Sequence, residues 1–118
     1  ITIVDQRYSQ YVREVDFIKR YVFPGGCLPS VSRMTDAVSR KTDLVVRHLQ
    51  DIGFDYARTL KDWCDNFMHA RDRVHQLGYD DNFVRLWQFY LCYCEGGFRE
   101  RATSAIHMVL AKPGNRSA

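Results

Sequence analysis

Apolar positions change their period several times along the 118 residues. Residues 1–4, Ile1, Thr2, Ile3 and Val4, form a short β-type run closed by Asp5, Gln6 and Arg7. From Ser9 the spacing becomes helical, with Tyr8, Val12, Val15, Ile18 and Val22 every three or four residues, which predicts an amphipathic helix over 9–22. Pro24, Gly25 and Gly26 end it. A second helix is predicted from Ser30, with Val31, Met34 and Val38 on one face. Residues 44–49 (LVVRHL) read as a strand, which Gly53 breaks. Asp55 is the expected N-cap of a long helix running to Leu77, striped by Leu60, Trp63, Phe67, Ala70, Val74 and Leu77. Gly78 is its expected C-terminal cap. Asp80 or Asp81 caps a further helix carrying Phe83, Leu86, Trp87, Tyr90, Leu91, Cys94 and Phe98. Residues 105–111 (AIHMVLA) form a last strand, and 112–118 a tail.

The order strand, helix, helix, strand, helix, helix, strand suits one edge of an α/β sheet. The length allows one domain and not two. The opening on β-branched residues, without an initiator Met, suggests a chain cut inside a strand, and 1–118 is read as a single partial domain.

A net charge of +3 changes little, because cations alternate with acids, as in Arg71, Asp72 and Arg73. That pattern is a solvated helix face and argues against nucleic-acid binding. A weak attraction to an anionic membrane surface stays open. The four cysteines, Cys27, Cys64, Cys92 and Cys94, follow no secretory signal, so reduced thiols in a cytoplasmic protein are expected. Residues two apart on a helix point about 200° from each other, so Cys92 and Cys94 do not share a metal ion, and His69 and His75 are six apart. The expectation is no metal. Gly25 and Gly26 follow a helix and Gly96 and Gly97 sit inside one, so neither pair cradles a phosphate.

Two stretches remain. One is the rigid, uncharged loop 21–30 (YVFPGGCLPS), where polar residues would be the ordinary choice. The other is residues 53–60 (GFDYARTL), which place Tyr56 at a strand-to-helix junction, where α/β folds build sites. On its residues alone the loop is a helix cap and turn, and Tyr56 is half-buried packing.

Three motifs join them: Ile18-x-x-Tyr21-Val22-Phe23-Pro24-Gly25-Gly26-x-Leu28-Pro29-Ser30, then Tyr56-x-x-Thr59-Leu60-x-x-Trp63, then Tyr90-Leu91-x-x-Cys94-x-x-x-Phe98-Arg99. In order and spacing the chain resembles the C-terminal part of the cyclopropane-fatty-acyl-phospholipid synthase and mycolic acid cyclopropane synthase family. The resemblance implies the last three strands, with about four helices, of a seven-stranded Rossmann-like methyltransferase sheet. Members use S-adenosylmethionine to add a methylene across the cis double bond of a lipid acyl chain. The cofactor's glycine motif lies upstream in that family, so no cofactor-binding residue is expected here.

In the family the alkene attacks the sulfonium methyl and leaves a carbocation, which calls for a dry, aromatic-lined pocket and a base. The base is a bound bicarbonate. By resemblance Tyr56 holds it through its hydroxyl and Ile1 through its backbone. Phe23, Pro24, Gly25 and Leu28 match the wall of the lipid channel, with Cys94 near it. A rigid apolar turn suits a sliding lipid tail, where a polar loop would strand unpaired groups. The implied partners are an unsaturated phospholipid acyl chain and a membrane surface, at the inner face of which the protein would sit peripherally. The exposed edges of such a piece imply self-association. A different class remains open, a non-catalytic lipid-binding or dimerisation module that kept the scaffold. An upstream strand and Gly-rich turn in the source reading frame would discriminate against it.

Overall fold

The computed structural model describes residues 1–116; the end of the expected tail, Ser117 and Ala118, lies outside the described residues. The chain runs β1 (Thr2–Ile3), α1 (Asp5–Tyr11), a π-helical turn (Ile18–Val22), α2 (Val31–Lys41), β2 (Val45–Asp51), α3 (Gly53–His69), α4 (Arg71–Gln76), α5 (Asp81–Arg99), β3 (Thr103–Ser104) and β4 (Ile106–Ala111).

The core is the seam between α3 and α5. Ala57, Leu60 and Cys64 recur at three and four residues on α3, while Leu91 and Phe98 are seven apart on α5. Both spacings return a side chain to the same helix face. These buried residues, with Ala105, form one cluster, against which Trp87 and Tyr90 pack half-buried.

The strands form two antiparallel pairs. Thr2 faces Ser104 and Ile3 faces Thr103. β2 pairs with β4 from Val45–Ala111 to Asp51–Ile106, with a register shift between Val46 and His48. The expected three strands are thus four, because 103–104 pair with β1 before the chain turns at Ala105 into β4. Val45, Val46, Leu49, Val109 and Leu110 of the second pair are all exposed. The radius of gyration is 17.8 Å, against about 13–14 Å for a compact domain of this length.

Several boundaries differ from the pattern. The helix expected over 9–22 is two pieces, and Val12 and Val15 are exposed rather than on a buried stripe. Lys19 fits the break: its ammonium donates to the carbonyl of Tyr11, which the end of α1 leaves without a helical partner, and to that of Glu14 in the segment between the two pieces. Asp55 lies in the first turn of α3 instead of capping it; Asp51 accepts the Gly53 N–H at 2.8 Å from the end of the strand. The long helix stops at His69 and resumes as α4, where Arg71 and His75 reach Asp81 at 2.7 and 3.1 Å. No glycine or proline marks that break in the sequence. Other signals match local geometry. Ser30 accepts the Arg33 N–H, Asp80 accepts the Phe83 N–H, and Gly78 takes a φ of +97° after α4.

Candidate functional site

The helix seam and the first 28 residues line an open cavity of about 1310 Å³. α3 contributes Tyr56, Leu60 and Trp63, and α5 contributes Trp87, Tyr90 and Cys94. The opposite wall includes Ile1, Phe23 and Leu28. The segments meet because β1 is anchored from two directions. The Ile3 N–H donates to the Pro29 carbonyl at 2.9 Å and the Val4 N–H to the Ala102 carbonyl at 3.2 Å.

The loop over 21–30 owes its rigidity to a turn. The Gly26 N–H donates to the Phe23 carbonyl at 2.9 Å across Pro24 and Gly25. Gly25 has a φ of +80°, the third-position conformation of a type II turn, and Pro24 fixes the position before it. Leu28 is tied down by its N–H, which donates to the Tyr11 hydroxyl at 2.9 Å.

Of the residues singled out in the sequence, Ile1, Phe23, Leu28, Tyr56 and Cys94 share this one cavity. Pro24 and Gly25 do not line it; they form the turn whose two ends, Phe23 and Gly26, do.

Aromatic edges set the cavity's shape. Tyr56 is held between Phe98, at a centroid distance of 5.0 Å, and Trp63, at 6.0 Å, both near perpendicular. Tyr90 lies 4.8 Å from Trp87 and 6.2 Å from Phe23. The helix wall is uncharged. Burial pushes the Tyr90 hydroxyl up to about 12 and the Cys94 thiol up to about 11, so both stay protonated at neutral pH. Four residues apart on α5, they stand on the same helix face. The Tyr56 hydroxyl has no hydrogen-bond partner among the described residues. Of the charged lining residues, Arg7, Glu14 and Glu100 are exposed, while Asp16 and Lys19, on the side of the first segment, are half-buried.

Such a site can take a long apolar chain, surround a positive charge with aromatic rings, and offer a hydroxyl to a small polar group. Sequence reasoning missed Tyr90 and Trp87 as cavity residues because their α5 stripe reads as core. The available signal was that the stripe is too wide and too aromatic for the single buried seam it supplies.

The mycolic acid cyclopropane synthetase family matches residues 1–108. The chain is 37% identical over 98 residues to the tuberculostearic acid methyltransferase UfaA1 of Mycobacterium tuberculosis, covering 83% of this chain and 23% of the relative. It is 33% identical over 96 residues to the cyclopropane-fatty-acyl-phospholipid synthase of Escherichia coli K12, covering 81% and 24%. The chain thus spans about a quarter of the length of these curated relatives. Its fold matches the cyclopropane synthase MmaA2 from Mycobacterium tuberculosis with a TM-score of 0.80 at 21% identity, over 94% of this chain and 41% of that one. It also matches the mycolic acid cyclopropane synthase CmaA1 complexed with SAH and CTAB, with a TM-score of 0.73 at 22% identity, over 89% and 35%. This α/β chain belongs to the mycolic acid cyclopropane synthetase family.

Proposed function

We propose that the chain is the C-terminal portion of an S-adenosylmethionine-dependent methyltransferase that transfers a methylene to the cis double bond of a phospholipid acyl chain. Its share of the work is the lipid channel and the bicarbonate site, and alone it is inactive. One observation carries this reading: Ile1, Phe23, Leu28, Tyr56 and Cys94, drawn from four separate segments of the chain, converge on one aromatic-walled cavity.

Supporting it, the ladder of β2 and β4 exposes apolar side chains on both strands. Apolar side chains on a strand pair ordinarily face a covering layer. The rest of a larger sheet would provide that cover, which supports reading 1–118 as a partial domain.

The residues here do not fit S-adenosylmethionine. The sharp strand-to-helix turn between β2 and α3 is already filled, since a Cβ at Gly53 would meet the Ser104 Oγ at 2.6 Å. On this reading the cofactor is held by upstream residues of the parent. Bicarbonate fits better, because the Tyr56 hydroxyl faces no protein partner and Ile1 shares its cavity. Tyr56 would hold the anion by its hydroxyl and Ile1 by its backbone, and bicarbonate bound there would supply a base. Phe23, Leu28, Trp87 and Tyr90 hold the acyl chain and exclude water, with Cys94 beside them. Rings around the site favour a cationic centre by their negative faces. Pro24 and Gly25 act by fixing the turn.

Among the described residues no helix is long and apolar enough to cross a membrane. On this reading the intact enzyme meets its lipid peripherally, at the inner, cytoplasmic face of the membrane.

The test gives the intact parent unsaturated phospholipid vesicles, S-adenosylmethionine and bicarbonate, and reads acyl masses. One added CH2 per modified chain is expected from the parent. From the isolated 118-residue chain no product and no calorimetric heat with S-adenosylmethionine are expected. Unchanged acyl chains with the parent would overturn the substrate, and stoichiometric cofactor binding by the isolated chain would overturn the division of labour.

A further inference from the structure

The seam that builds the core also brings two thiols into contact. Cys64 Sγ on α3 and Cys92 Sγ on α5 lie 3.8 Å apart, 28 residues apart in sequence, and both cysteines are free. Their surroundings are unequal. Cys64 is buried in the cluster with Leu60 and Leu91, while Cys92 is exposed. Cys94 interacts instead with Tyr90, and Cys27 sits in the exposed loop.

We propose that Cys64 and Cys92 are a redox modification site, forming a reversible disulfide that ties α3 to α5. The exposed member is the entry point and the buried one resolves. The sulfurs need to approach from contact to a bond length of about 2.05 Å, a change within the reach of two cysteine side-chain torsions.

The oxidant is a low-molecular-weight disulfide such as oxidised glutathione. The Cys92 thiolate attacks one of its sulfurs; the S–S bond breaks, and one glutathione leaves as a thiolate that takes up the proton Cys92 gave. The Cys64 thiolate then attacks the Cys92 sulfur of the mixed disulfide. The second glutathione leaves and is protonated by the proton Cys64 lost. Two protein thiols give up two electrons and two protons, and one disulfide becomes two thiols. Burial holds the Cys64 thiol up at about 11, helped by Cys92 and by the negative charges of Asp65 and Glu95. That makes the second step the slow one at neutral pH, so the pair stays reduced until oxidant persists.

The bond has a place to act. Cys92 lines the cavity together with Leu60 and Leu91, which flank the pair. Tying the helices at this level fixes the wall on which Tyr56 and Tyr90 stand.

The experiment equilibrates the protein with graded ratios of reduced to oxidised glutathione, quenches with acid, denatures, alkylates and measures mass. The expected product lacks two hydrogens, carries no glutathione, stays monomeric on a non-reducing gel, and joins tryptic peptide 62–71 to 86–99. In the wild-type product Cys94 is alkylated while Cys64 and Cys92 are not, a readout that needs no variant to fold. The same link forms in Cys94→Ser and is absent in Cys92→Ser. A link that survives in Cys92→Ser, a closure of Cys92 on Cys94 within 86–99, or a reaction that stops at the glutathione adduct at every ratio overturns the proposal.

Discussion

The ring of Tyr56 meets the ring of Phe98 edge-on, with centroids 5.0 Å apart and planes at 73°, and Phe98 is buried while the Tyr56 hydroxyl is unpartnered. Packing therefore fixes the ring and leaves the oxygen without a protein partner. Ring and hydroxyl can be separated by one substitution.

In the intact parent, Tyr56→Phe keeps the edge contact and removes the hydroxyl. A hydrogen bond to an anion contributes roughly 1.5–3 kcal/mol, so turnover should fall about ten- to a hundredfold with an unchanged melting temperature. Added bicarbonate should restore part of the rate by mass action. If Tyr56 only packs, the Phe variant turns over at the wild-type rate, and that result removes the residue from the site.

Gly53 offers a test of the junction that starts α3. A methyl there would approach the Ser104 Oγ to 2.6 Å and the Asp51 Oδ1 to 3.1 Å, while the Ser104 hydroxyl already donates to that Asp51 oxygen at 2.5 Å. Gly53→Ala should lose about 1–3 kcal/mol, the usual range for forcing atoms into a filled space. Urea unfolding should show a lower midpoint at constant slope, and Ser104→Ala in the same chain should return part of it. A midpoint equal to wild type would mean the junction is looser than its geometry.

How far the pattern could be read depended on what decides each element. Caps were legible because Ser30, Asp80 and Gly78 act on neighbours within three residues. α5 was legible because Leu91 and Phe98 repeat on one face. The break before the π-helical turn was not, since Lys19 reaches back eight residues to the Tyr11 carbonyl and periodicity carries no such information. Nor was the pairing of β1 with β3, which joins residues 102 apart. The gathering of Ile1, Phe23 and Tyr56 came from the family motifs and not from any local pattern, because it depends on β1 being bound to the Pro29 carbonyl. The contact of Cys64 with Cys92 was invisible for the same reason: i and i+28 on two helices meet only once the seam is packed.

The apolar ladder of β2 and β4 should drive the isolated chain to associate. Val45, Val46 and Leu49 are exposed beside Val109 and Leu110, and unpaired strand edges recruit further strands. Light scattering should report a dimer or larger species whose population grows with concentration. Replacing Leu49 and Val109 with Lys should shift it toward monomer. A clean monomer at all concentrations would show that these residues do not drive association.

The buried thiol of the seam gives a pH signature with a definite sign. The Cys64 thiol is raised from an ordinary 9.0 to about 11, chiefly because burial disfavours the thiolate. When folded the thiol keeps its proton between those values, whereas in the unfolded chain it has lost it. The folded state thus binds more protons, and stability falls as pH rises through this window. Below about 9 the contribution is fully present. Under reductant, so that no disulfide forms, the melting temperature of the wild type should drop more steeply between pH 8.5 and 10.5 than that of Cys64→Ala. The Ala variant starts lower, since it leaves space beside Leu60 and Leu91, but lacks this component of the slope. Parallel slopes for the two proteins would mean that Cys64 reaches water in the folded chain, and that its thiolate forms as readily there as in the unfolded one.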